Sequence, residues 1–361
     1  MTAARKTLRA PSELVEAQFA SPDQLADLEK VAARYAVAIT PGIADLIDPS
    51  DADDPIARQF VPDARELEGQ PHENTDPVGD RAHSPVEGIV HRYPDRVLLK
   101  LVNACAVYCR FCFRREMVGP GRGGLSGAAR AAALDYIRAR PEIWEAILTG
   151  GDPLILSPRR LKTIMAELAA IDHVKVIRVH TRIPIAAPER VTPALVRALR
   201  GDTATFVVLH ANHPRELTAA ARAAIARFVD IGIPMLSQSV LLRGINDNTE
   251  TLGALMRALV ECRVKPYYLH HADLAPGTAH LRTSIAEGQN LLRALHGRYS
   301  GLCQPAYVLD IPGGYGKSPI GPNYLNAQTS SVEDFNGRRH VYPPAAPRGQ
   351  AACAKNTAVS N

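Results

Sequence analysis

The stretch CAVYCRFCFRRE, residues 105 to 116, places three of the chain's six cysteines within eight positions. Cys105, Cys109 and Cys112 are separated by three and then two residues, and two arginines follow at once. A structural zinc site takes four ligands, usually in two matched pairs, and no further Cys or His stands nearby to complete one. A redox C-x-x-C pair of Cys109 and Cys112 leaves Cys105 unexplained. What remains is an iron–sulfur cluster on three thiolates, with one iron left bare of protein. A bare iron can chelate a small molecule.

The elements that must position this loop are readable from periodicity. Strand candidates fall at residues 96–102, 144–150, 174–180, 204–210, 233–240, 264–270 and 306–310, with amphipathic helical segments between them. Helix starts are marked by Ser126, by Ser157 with Pro158, and by Thr249 after Asn248. Alternation of this kind predicts βαβ units and a parallel sheet, as an open doubly wound sheet or a barrel. Both place chemistry at the carboxyl ends of strands. Unusual polar residues follow every predicted strand: the cysteines, TGGDPL (149–154), HTRIP (180–184), HANHP (210–214), Gln238, HHAD (270–273) and DIPGGYGKSP (310–319). Seven such ends on one rim predict a catalytic barrel mouth.

The C-x3-C-x2-C spacing, with Phe111 before the last cysteine, is that of the radical S-adenosylmethionine (SAM) enzymes. Together HRYPDRVLLKLVNACAVYCRFCFRRE, TGGDPLIL, HTRIPI, NHP and PGGYGKSP resemble the lysine 2,3-aminomutase family, from about Val90 to Tyr324, or about two thirds of the chain. The resemblance implies a partial (β/α)6 TIM-like barrel of the radical SAM type with an N-terminal helical extension. It also implies a [4Fe–4S] cluster, SAM and pyridoxal 5′-phosphate (PLP), and an isomerase moving the α-amino group of L-lysine to C3. The segments expected are an N-terminal extension and acidic linker over 1–80, the barrel with its PLP site over 81–325, and a tail over 326–361.

By the same resemblance Lys317 is the PLP lysine, in a loop whose glycines let the backbone approach a flat ring. Arg92 and Arg96 of HRYPDR, with Tyr93 between them, match the phosphate-binding side. Arg114 matches the arginine that takes the substrate carboxylate, to which a planar guanidinium is suited. Asp273 and Asp310 match the pair that takes the distal ammonium. Buried carboxylates are costly unless a cation joins them, so two at one mouth imply a cationic ligand. Ornithine or arginine satisfies the same charges as lysine. Thr149, Gly150, Gly151 and Asp152 resemble the glycine-rich strand end that meets SAM, and His210 and Gln238 match positions near it. Cys105, Cys109 and Cys112 are the cluster ligands.

Two departures stand out. Relatives can carry a zinc site built from a Cys after the fifth strand and a C-terminal Cys cluster; here Asn248 and a lone Cys353 stand instead, so that site is expected to be missing. His270 stands where the family often has tyrosine. Rival readings are a β-lysine-forming enzyme that serves elongation factor P modification, and an iron–sulfur or zinc protein without catalysis.

Composition narrows the partners. With 42 basic and 37 acidic residues, the net charge of +5 is too small to argue for nucleic acid. Acids dominate between Ala44 and Asp76, read as a solvated face, and bases without acids follow Arg338. No run approaches the ~18 apolar residues of a membrane helix, no secretory signal opens the chain, and scattered Cys262, Cys303 and Cys353 suggest a reducing cytoplasm. The remaining expected partners are an amino-acid substrate, an electron donor such as flavodoxin or ferredoxin, and further copies of the chain.

Overall fold

Segments rich in Val, Ile and Leu, such as EAILTG and ATFVVLH, suit strands covered on both faces, as parallel sheets require. The structure, a computed structural model, describes residues 6–121 and 123–344. It forms strands at β1 Ile89–Tyr93, β2 Arg96–Val102, β3 Glu145–Gly150, β4 Val176–Thr181, β5 Ala204–His210, β6 Met235–Leu241, β7 Val264–His271, β8 Ala306–Ile311 and β9 Gly316–Pro319. They pair in chain order into one sheet. From β2 to β8 the pairing is parallel; β1 and β9 flank it antiparallel. The outermost strands form no ladder with each other, so the barrel is partial. Side chains bridge the gap instead: the Lys317 backbone N–H donates to the Tyr93 hydroxyl at 2.6 Å.

Crossover helices carry the chain from each parallel strand to the next, as a parallel pair requires. Their starts follow the local signals. Ser126 accepts from the Ala129 N–H at 3.1 Å, Ser157 from Arg160 at 3.3 Å and Asn248 from Thr251 at 2.8 Å. Each cap satisfies a donor that the first helical turn leaves open, and contributes on the order of 1 kcal/mol. Asn248 is thus occupied as a helix cap. Cys353 lies outside the described residues.

The described residues fall into two compact units, one ending at Gly321 and the other beginning at Pro322. In the latter, Leu325–Asn326, Ser331–Glu333 and Arg339–Val341 make a small antiparallel sheet.

Two expectations are corrected. The acidic stretch is not simply a solvated face: Asp54 and Glu66 are fully buried. Asp54 takes a salt bridge from Arg215 at 2.7 Å, and Glu66 receives both Arg110 and Arg115. Their neighbours Asp45, Asp51 and Asp53 are exposed as expected. Which acids go inside depends on cations far along the chain, and no local pattern encodes that. Lys317, expected in a loop, stands on β9, because pairing with β8 makes a strand of a segment too short and too rich in glycine and proline to signal one.

Candidate active site

A cavity of about 360 Å³ opens at the carboxyl ends of the parallel strands, and every candidate site residue lines it. The cysteines follow β2. Their loop is admitted by two glycines at the end of β3, Gly150 in its last position and Gly151 just beyond it. Gly150 has φ +118°, where a Cβ would lie 2.3 Å from the Val102 carbonyl oxygen. A Cβ on Gly151 would lie 2.1 Å from that of Ala104. Neither position tolerates a side chain. Asp152 then fixes the turn, accepting from the Leu154 N–H at 3.0 Å, the Thr181 hydroxyl at 2.8 Å and the Arg182 N–H at 2.7 Å. Asp152 therefore ties the end of β3 to the end of β4.

All three thiols are free and face the same cavity. Burial pushes each upward, Cys112 to about 11. Such thiols ionise only with positive charge at hand. One source is visible: the Arg182 guanidinium donates to Cys109 Sγ at 3.2 Å.

The opposite chemistry collects around β1, β8 and β9. Asp80 is buried and bridges two guanidiniums, Arg92 at 3.0 Å and Arg114 at 2.9 Å. Arg114 also reaches the Thr149 hydroxyl at 3.4 Å. Arg96 lies over the Tyr93 ring, 3.9 Å from its centroid, and pairs with Asp95 at 2.6 Å. Lys317 Nζ donates to Asp310 at 2.7 Å, and His270 Nδ1 lies 3.5 Å from the other Asp310 oxygen. Despite burial, these partners hold the Asp310 carboxyl well below the usual carboxylate range. Asp273 is the contrast. Its carboxylate takes no hydrogen bond or ion pair among the described residues, and burial with the nearby Asp310 charge raises it to about 7.

The family model described as Radical SAM superfamily matches residues 99–255, and that described as Lysine-2,3-aminomutase matches 292–355. The L-lysine 2,3-aminomutase of Clostridium subterminale is 41% identical, over 83% of this chain and 73% of that protein. The chain belongs to the lysine 2,3-aminomutase family. Another relative, the L-lysine 2,3-aminomutase of Methanococcus maripaludis, is 38% identical over 91% of this chain and 77% of its own. The glutamate 2,3-aminomutase of Clostridioides difficile is 36% identical over 82% and 70%.

The aminomutase family implies a [4Fe–4S] cluster, SAM and PLP, and the residues present fit them. Among the described residues no three His, Cys, Asp or Glu side chains gather around a single ion's position. The three thiols nevertheless share one cavity wall, as ligands of a larger cluster do. For PLP there is an amine, Lys317 Nζ, and a buried Arg92 Nε with no hydrogen-bond partner among the described residues. For SAM, His210 Nε2 is buried near Phe111, ring centroids 5.7 Å apart, and likewise has no partner among the described residues. Gln238 lies 3.4 Å from His180 Nδ1.

Several cavity residues escape the sequence reading. Arg182 sits in HTRIP, whose sequence alone gives it no role. Asp80 carries no local signal, since its partners are 12 and 34 positions away. His180, also in HTRIP, and Tyr268, which stacks on Tyr267 at 3.8 Å, complete the wall.

Proposed function

We propose that this protein moves the α-amino group of L-lysine to C3, giving β-lysine. The placement of charge in the cavity carries the reading. Arg114 offers a guanidinium for the amino-acid carboxylate, while Asp273 and Asp310 give the same chamber two carboxylates. Glutamate would add a third carboxylate to them; a distal ammonium satisfies both.

When bound, the cluster and SAM supply hydrogen-atom abstraction and PLP carries the migrating amino group. Cys105, Cys109 and Cys112 would hold the cluster, and Thr149, Gly150, Gly151, Asp152, His210 and Gln238 would flank SAM. Lys317 would anchor PLP, with Arg92, Tyr93 and Arg96 around it. With Lys317 Nζ given to PLP, the Asp310 carboxylate that now accepts from it at 2.7 Å would be open to the substrate's ammonium. Arg114 and the two aspartates would then hold the carboxylate and the distal ammonium of one substrate in the same chamber, keeping its carbon chain in reach of abstraction, a gain in proximity rather than in acid–base chemistry.

The catalytic part is assigned to residues 81–325, with 1–80 and 326–361 as accessory segments. A low-potential donor such as flavodoxin or ferredoxin, self-association and a cytoplasmic setting belong to the same proposal. No helix among the described residues is long and apolar enough to cross a membrane.

The test is anaerobic reconstitution with iron, sulfide, PLP and SAM, followed by lysine, ornithine, arginine and glutamate in separate reactions. β-Lysine from lysine alone supports the reading. A β-amino product from glutamate but not lysine removes it.

A further inference from the structure

Arg182 is buried to 6% exposure at the end of β4, with aromatic rings beside it: its guanidinium carbon lies 4.7 Å from the Phe60 centroid and 5.5 Å from that of Phe111. One arm donates to Cys109 Sγ at 3.2 Å. The other donates to Gln59 Oε1 at 2.6 Å and pairs with Glu216, which is itself fully buried. Glu216 cannot drift, because its other oxygen accepts from the backbone N–H groups of Asn212 and His213, both at 2.8 Å. A planar guanidinium supplies donors in a fixed fork, which a lysine ammonium cannot reproduce. The fork is therefore aimed at a thiolate by a fixed counter-charge, in surroundings where charges are weakly screened.

We infer that Arg182 is a positioning residue that sets the reduction potential of the iron–sulfur centre through Cys109, with Glu216 as the opposing charge. The inference rests on the reading of the three cysteines as cluster ligands. The step at issue is uptake of one electron by the cluster from an external reductant, which is oxidised by one electron. No bond in the protein changes. The reduced cluster carries one more negative charge, so a hydrogen-bonding cation on a ligand sulfur favours it and a nearby anion disfavours it. Hydrogen bonding to the sulfurs, charge and burial are the means by which proteins tune such centres.

The two residues thus predict shifts of opposite sign. The experiment is a redox titration of the reconstituted protein with dithionite, followed by the EPR signal of the reduced cluster, alongside iron content and circular dichroism. The double change Arg182→Gln with Glu216→Gln removes the cationic fork, leaving at most a neutral amide donor, without leaving a buried charge. At a fixed reductant potential its ratio of reduced to oxidised cluster falls about tenfold, a midpoint about 59 mV more negative. Glu216→Gln alone keeps the guanidinium and moves the midpoint to more positive potential. Arg182→Lys, which keeps the charge, lies between wild type and the double variant. If the double variant does not fold, the other two decide by their signs. Midpoints equal to wild type, or shifts in one direction for every variant, overturn the inference. A wild-type protein without any reduced-cluster signal overturns the cluster reading, and this inference with it.

Discussion

Asp310 and Lys317 are cross-strand partners, in register across the β8–β9 hairpin, with Nζ 2.7 Å from the carboxylate. The pair is a placeholder geometry: the proposed cofactor amine sits on the carboxylate proposed for the substrate's ammonium. Asp310→Asn keeps the shape and removes the charge. Losing one partner of a buried charge pair costs about 2 kcal/mol or more, so KM for lysine should rise about 30-fold. PLP content by absorbance should change little, since the Lys317 backbone stays tied to Tyr93. An unchanged KM would remove Asp310 from substrate recognition.

Asp80 couples Arg92 and Arg114, the arginines proposed for the PLP phosphate and the substrate carboxylate. With its side chain 2% exposed and its carboxylate 3.0 Å from Arg92 and 2.9 Å from Arg114, it fixes both guanidiniums at once. Asp80→Asn should therefore weaken PLP retention and raise KM for lysine together, each by about tenfold. It should also lower stability, because two nearly buried cations lose their counter-charge. Thermal unfolding and PLP titration check the two halves. A loss of stability with both affinities intact would make Asp80 merely structural.

The pH dependence of binding should follow Asp273, whose carboxyl is raised to about 7 by burial and by the neighbouring Asp310. Below that pH it holds a proton, which a lysine ammonium must expel. KM for lysine should then rise about fivefold between pH 7 and pH 6, and about tenfold per unit further down. For the free protein the sign is set by linkage. The unfolded carboxyl ionises near 3.8 while the folded one stays protonated. This contribution to stability is full below pH 3.8 and fades as pH rises through 7. Asp273→Asn should flatten the KM profile; a slope that survives the change points to another group.

Much of the site could be read before the fold because its signals are local. The cysteine triad needs only its spacing, and β2 and β5 lie where their apolar runs begin and end. The charge partners were hidden for the opposite reason. Arg182 meets Gln59 across 123 positions and Glu216 across 34, and Glu66 meets Arg110 across 44. A buried ion pair leaves no periodicity, so an acid that solvates a surface and one that clamps a guanidinium look alike in sequence. β1 and β9 leave no signal in the sequence, because antiparallel edges of four or five residues, each beside a turn, lack a pattern of their own.

At the cysteine loop, backbone geometry and side-chain chemistry are separable. Gly151 contributes no donor, acceptor or charge from a side chain, yet a Cβ there would stand 2.1 Å from the Ala104 carbonyl oxygen, next to Cys105. The obstacle is backbone rather than a flexible side-chain end, so the loop itself must shift. Gly151 also donates its N–H to the Val102 carbonyl at 2.5 Å and precedes Asp152, whose N–H donates to Ala104 at 3.0 Å. Displacing this junction moves Cys105 relative to Cys109 and Cys112, and a cluster held by three thiolates is lost when one leaves its place. Gly151→Ala should therefore reduce iron per chain after reconstitution at least severalfold, while the long crossover helices, none of which includes the junction, keep their circular dichroism. Gly201→Ala is the control, because a Cβ there meets nothing within 4 Å. Full iron content in Gly151→Ala would show that the cysteine loop is more pliable than its contacts with β3 imply.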